Sequence, residues 1–95
     1  MLKVQVKAFA RIKDVLGSEV ELEIHEDMTV GDLLNELIKK YGDAFKRQIF
    51  NPETGKLQSY VRILLNGRDI DFLNGLETRL NNGDVLALFP PIAGG

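Results

Sequence analysis

The chain is 95 residues long, 44% hydrophobic and 27% charged, with a formal net charge of −2 and no cysteine. That length supports one domain around one core, and the missing thiols exclude disulfide staples, thiolate metal sites and cysteine-based catalysis. The slightly acidic balance argues against a nucleic-acid or membrane-surface binder, and no run approaches the roughly 18 apolar residues that cross a bilayer.

Leu2, Val4, Val6 and Ala8 alternate with Lys3, Gln5 and Lys7, the period of a half-buried strand. No signal-peptide apolar stretch accompanies it, so a cytoplasmic protein is the expectation. By parity Phe9 falls on the polar face and is expected to be exposed unless the strand ends first. Residues 10–16 carry Ile12, Val15 and Leu16 at helical spacing before Gly17, which predicts a turn of helix or a wide loop. Val20, Leu22 and Ile24 alternate with Glu19, Glu21 and Glu23, predicting a second strand hairpinned to the first, with an acidic outer face.

Thr29-Val30-Gly31-Asp32 has the form of a capping box, a hydroxyl followed three residues later by a carboxylate. Val30, Leu33, Leu34, Leu37, Ile38 and Tyr41 then line one stripe of an amphipathic helix, with Lys39, Lys40 and Gly42 suited to its end. Residues 43–50 have room for another helical turn, and 51–56 read as a turn or exposed loop. Residues 60–65 alternate as a third strand. Asn66-Gly67 is a strong short-hairpin signal, returning into a short edge strand over 68–70. An irregular connection follows, anchored by Leu73, Leu76 and Leu80. Asn82-Gly83-Asp84 turns the chain into a last strand ending at about Phe89.

One amphipathic helix must bury its stripe against one face of a sheet. With the first and last strands side by side in the middle, the order of elements gives an α+β architecture. It is a ubiquitin-like β-grasp, with a mixed sheet of about five strands and one main helix on one face. Leu86 and Leu88 would then face the helix, and Phe89 would point away, as Phe9 does on the neighbouring strand. Two aromatics on one open face are expected to form a docking patch; the alternative is that each covers a sheet end or loop.

The domain is therefore read as residues 1–89, followed by a tail over 90–95. Pro90 and Pro91 cannot donate to a ladder and have fixed φ, so pairing should stop and the chain should leave the sheet extended. Six such residues reach on the order of 15–20 Å. Gly94 and Gly95 lack a Cβ, so a carboxylate on Gly95 can enter a pocket too narrow for a side chain. The plain alternative is an inert glycine-rich end.

Conventional active-site signals are missing. His25 beside Glu26 and Asp27 reads as a solvated turn residue, Gly55-Lys56-Leu57 lacks the spacing of a phosphate loop, and Asp69 and Asp71 are too isolated to read as paired carboxylates. The remaining reactive group is the carboxylate of Gly95. It is a poor electrophile until joined to AMP, and that step needs ATP and Mg²⁺ held by a partner enzyme. No cofactor is expected on this chain itself. The charged tail would end as a thiocarboxylate or as an amide to a lysine.

Phe9-Ala10-Arg11, the opening Thr29 to Leu34, Asn66-Gly67, Leu80 with Gly83-Asp84, and above all Phe89-Pro90-Pro91-Ile92-Ala93-Gly94-Gly95 resemble the MoaD-like sulfur carriers, the small subunits of molybdopterin synthase. The resemblance covers nearly the whole chain. It implies adenylation of Gly95 by a ubiquitin-activating-type enzyme, formation of a thiocarboxylate, and insertion of the tail into the synthase large subunit for sulfur transfer to a pterin precursor. It also implies that Phe9 and Phe89 grip these partners, with Pro90, Pro91, Ile92 and Ala93 as the lead-in. The chain departs from compact members in the length of 43–60 and in the polar Asp69. Both its length and style look like archaeal members, some of which modify lysines or serve tRNA thiolation, and where the pterin can hold tungsten in place of molybdenum.

Overall fold

Alternation in the first strand is converted into a two-sided sheet. Val4, Val6 and Ala8 are buried on one side, while Lys3 and Lys7 on the other are exposed. The computed structural model describes residues 1–90. In chain order the elements are β1 (Leu2–Ala8), α1 (Ala10–Leu16), β2 (Glu19–Ile24), α2 (Val30–Tyr41), α3 (Asp43–Ile49), β3 (Arg62–Leu65), β4 (Arg68–Asp69) and β5 (Val85–Phe89). Short 3₁₀ turns occupy Ile70–Phe72 and Gly75–Glu77.

The strands form one mixed sheet in the order β2-β1-β5-β3-β4, with β1 and β5 parallel and the other neighbours antiparallel. The first and last strands are thus side by side in the middle, as expected of a ubiquitin-like β-grasp. Their inner side chains, Val4, Val6, Leu86 and Leu88, are all essentially inaccessible to water.

Helix α2 begins at the expected place. Asp32 N–H donates to Thr29 Oγ1 at 3.2 Å and Thr29 N–H donates to Asp32 Oδ2 at 3.0 Å, a complete capping box. Val30, Leu33, Leu34 and Leu37 are buried, each contributing about 1.5–3 kcal/mol on removal from water. Ile38 and Tyr41, the trailing end of the stripe, are only half-buried. A Cβ added at Gly31 would lie 3.2 Å from the Leu76 carbonyl oxygen, so glycine there lets the connection of residues 70–84 lie close against α2.

The helical readings of residues 10–16 and 43–50 are realised as two seven-residue helices, α1 and α3, whose Ile12, Leu16, Phe45 and Ile49 complete the core. Two strand boundaries differ from the sequence expectation. The third strand begins at Arg62, two residues late, because Val61 N–H is drawn into a turn by the Gln58 carbonyl and Tyr60 is left 52% exposed. The edge strand stops at Asp69, whose carboxylate accepts from Asp71 N–H at 2.9 Å and starts a 3₁₀ turn instead.

The two turns that carry asparagine and glycine are tied together. Asn66 and Gly67 both take positive φ, 52° and 86°, as a two-residue hairpin between Leu65 and Arg68 requires. Asn66 Nδ2 donates to Asp84 Oδ1 at 2.9 Å, Val85 N–H donates to Asn66 Oδ1 at 2.9 Å, and Asn81 N–H donates to Asp84 Oδ2 at 2.7 Å. Gln5 N–H donates to the Asp84 carbonyl at 3.0 Å. One buried carboxylate therefore sets where β5 enters between β1 and β3.

Candidate functional site

Where β5 ends, the sheet brings together the two aromatics that alternation placed on its open face. Parallel pairing sets Ala8 beside Leu88, so the next residues, Phe9 and Phe89, are neighbours. Phe9 N–H continues the ladder to the Leu88 carbonyl at 3.2 Å. Beyond it Ala10 takes φ 52° and α1 begins. The rings are stacked, with centroids 4.3 Å apart and planes 8° from parallel. Phe9 remains 39% exposed, whereas Phe89 is half-buried under it. The expectation of two exposed rings is therefore corrected for Phe89, because each ring shields one face of the other. The strand does end before Phe9, yet the ring stays on the open face.

Cross-strand register spells out the surroundings. One row across the open face runs Glu19, Lys7, Ala87, Leu64, Asp69, and the next runs Phe9, Phe89, Arg62. Charges thus flank an apolar centre made by β5, the last strand among the described residues. Arg62 Nη1 lies 3.3 Å from Asp69 Oδ2 and 3.5 Å from Asp71 Oδ2. The two aspartates are not isolated, as their spacing in the sequence implies, but share one guanidinium. Phe72, on the same edge, is 87% exposed and was not legible as a surface residue, since it sits in a stretch with no period to assign it a face.

Pro90 follows β5 and is buried. The expectations for Pro91, Ile92, Ala93, Gly94 and Gly95 lie outside the described residues. His25 is exposed in the turn after β2, its backbone N–H donating to Met28 Sδ at 3.2 Å, and among the described residues its ring makes no ion pair with an acid. Among the described residues no group of three or more His, Asp or Glu side chains is placed to hold a metal. A groove of about 390 Å³ between α2, α3 and the 51–55 loop, lined by Asn35, Lys46, Arg47 and Phe50, shares no residue with the aromatic pair. No helix among these residues is long and apolar enough to cross a membrane.

The same architecture recurs in known proteins. Small archaeal modifier protein 3 of Haloferax volcanii is 35% identical over 95 residues, covering 99% of this chain and 100% of the relative. The molybdopterin synthase sulfur carrier subunit of Haemophilus influenzae is 27% identical over 87 residues, covering 92% and 93%. The solution structure of small archaeal modifier protein 1 from Methanosarcina acetivorans superposes with a TM-score of 0.84 at 36% identity, covering 100% of this chain and 98% of that one. The model of the ThiS family matches residues 6–95, which takes in the core apart from Val4, the stacked pair and the Pro-Pro-Ile-Ala-Gly-Gly ending, and the chain belongs to that family.

Proposed function

We propose that this protein is a carrier whose reactive group is the carboxylate of Gly95, charged and discharged by partner proteins. The observation that carries the reading is the stacked Phe9–Phe89 pair at the point where β5 gives out, a part-exposed aromatic grip at the root of the tail. A ubiquitin-activating-type enzyme holding ATP and Mg²⁺ would join the carboxylate to AMP with release of pyrophosphate. Hydrosulfide, or its equivalent from a sulfur donor, then displaces AMP and leaves a thiocarboxylate. Beyond Pro90, which is buried at the end of β5, Pro91, Ile92, Ala93 and Gly94 thread Gly95 into the next active site, that of a molybdopterin synthase large subunit. Sulfur passes there to a pterin precursor of the molybdenum or tungsten cofactor, and water restores the carboxylate. The chain is a co-substrate in this cycle and supplies no catalytic machinery of its own. Family membership and the Haemophilus influenzae relative support this reading.

A second reading is favoured by a different observation: the relatives matched over nearly the whole chain at 35% and 36% identity are named modifier proteins. Here the same adenylate is discharged by a lysine amine, leaving Gly95 in an isopeptide bond. Service to tRNA thiolation would use the thiocarboxylate of the first reading.

Cells in which Gly95 is deleted, or followed by a bulky residue, separate the outcomes. Loss of pterin-cofactor enzyme activity in both strains supports the first reading. Branched peptides carrying Gly94-Gly95 on lysines of other proteins in the parent cells, missing from both strains while the cofactor is unaffected by either change, would transfer the proposal to the second. Normal growth and normal cofactor in both strains, with no branched peptides in the parent cells, would contradict both.

A further inference from the structure

Strand β2 is an edge of the sheet, with β1 on one side and no strand on the other among the described residues. It is six residues long, whereas the opposite edge strand, β4, has only two. The hydrogen-bond phase shows which of its backbone groups are free. Ala8 N–H donates to the Ser18 carbonyl at 3.1 Å, so in this register Val20, Leu22 and Ile24 bond toward β1. The N–H and C=O of Glu19, Glu21 and Glu23 therefore point outward. Their side chains are exposed on the open face.

On the helix side the same edge borders a groove of about 330 Å³ between β2 and α2. Half-buried Leu22 and Met28 give it an apolar floor, and Glu36, Lys39 and Lys40 of α2 form the wall. Lys39 is paired with Glu36 at 3.6 Å, and Lys40 Nζ sits 5.5 Å from the centre of the Tyr41 ring. The edge thus has an acidic rim on one face, and an apolar floor with a net basic wall on the other.

We propose that the outer edge of β2 docks an extended segment of another protein in which basic residues alternate with apolar ones. Added as a sixth strand, such a segment pairs its backbone with Glu19, Glu21 and Glu23. Residues opposite these glutamates share their face, and residues opposite Val20 and Leu22 face the helix side, the one opposite Leu22 at the groove. Basic side chains match the first set and apolar ones the second. β1 already offers this pattern to the inner edge, with Lys3 opposite Glu23, Lys7 opposite Glu19, and Val4 opposite Leu22. Charge also fixes the register, because a slip by one residue would carry the basic side chains to Lys39 and Lys40 and the apolar ones to the glutamates. A second copy of this chain is disfavoured as occupant, since antiparallel pairing of two β2 edges would set glutamate against glutamate.

The test is a titration of the nitrogen-labelled full chain with the synthetic peptide acetyl-Thr-Lys-Val-Lys-Val-Lys-Thr-amide, followed by amide hydrogen exchange. Saturable shifts are expected at the Glu19, Glu21 and Glu23 amides. Exchange at Glu21 and Glu23 should slow at least ~10-fold at saturation. A peptide with glutamate in place of each lysine should bind at least ~10-fold more weakly, because three cross-strand pairs worth about 0.2–1 kcal/mol each change sign. Combining Glu21→Lys with Glu23→Lys should abolish binding. If that variant disturbs the sheet, E21T, a good strand former, should weaken binding while keeping the native spectrum. Shifts confined to other surfaces, equal binding of a peptide with the same residues in blocks, or shifts at these amides from self-association without peptide would each overturn the proposal. Removing Gly94 and Gly95 should leave the titration unchanged, so the edge and the carrier reading fail separately.

Discussion

Phe9 and Phe89 stack because two parallel strands end within a residue of each other and each leaves an aromatic on the same face. Alternation in the sequence places both rings on the open face, but not at 4.3 Å from each other; that follows from the register of β1 on β5, which no local pattern encodes. Each single alanine substitution is expected to cost about 0.5–1.5 kcal/mol of ring–ring interaction beyond lost burial. A double-mutant cycle read by thermal unfolding should return a coupling of that size, and additive single effects would mean that the stack contributes nothing. Asp84 ties two turns of the fold together. Its carboxylate accepts from Asn66 and Asn81 in a site where only 8% of the residue is exposed. Asp84→Ala strands both donors and is expected to lose about 1.5–3 kcal/mol, measured by urea denaturation. Asn66, Gly83 and Asp84 are visible in the sequence as turn residues; that two distant turns share one carboxylate is not.

The elements themselves were legible in proportion to how strongly their own residues specify them. α2 carries a cap, a stripe and a stop within 14 consecutive residues, and it forms between Thr29 and Gly42 as those signals require. Thr29→Ala should cost about 0.5–2 kcal/mol by removing one half of the capping box. At roughly 4–8 °C per kcal/mol for a domain of this size, the loss should be plain in a melting curve, and an unchanged melting temperature would mean the cap is redundant. α1 and α3 have seven residues each, two turns, so a spacing such as that of Ile12, Val15 and Leu16 leaves a helix and a loop both open, and burial of Ile12, Leu16, Phe45 and Ile49 in the shared core stabilises the helix. The late start of β3 and the early end of β4 have the same origin: competing local hydrogen bonds, from the Gln58 carbonyl and the Asp69 carboxylate, take residues that alternation assigns to strands.

For the whole molecule, the core of the described residues runs from Val4 to Leu88, and the carboxylate proposed as the reactive group follows it in the sequence. Deleting Gly95 is accordingly expected to leave the melting temperature unchanged while ending function. A fall of several degrees would place the terminal glycine within the folded core instead. The carrier chemistry proposed above is read from the ending of the sequence, whereas the surface proposed to meet its partners spans β1, β3, β4 and β5 and no single stretch of sequence displays it. Asp69 reaches Arg62 through the pairing of β4 with β3, and Asp71 through the 3₁₀ turn that follows. The most direct test of the account is the intact mass of the protein isolated under non-reducing conditions from the cells that make it. The account predicts a fraction heavier by one oxygen exchanged for sulfur, with fragmentation placing the change on Gly95. A terminal carboxylate on every molecule, with neither that exchange nor Gly95 joined to another protein's lysine, would contradict it.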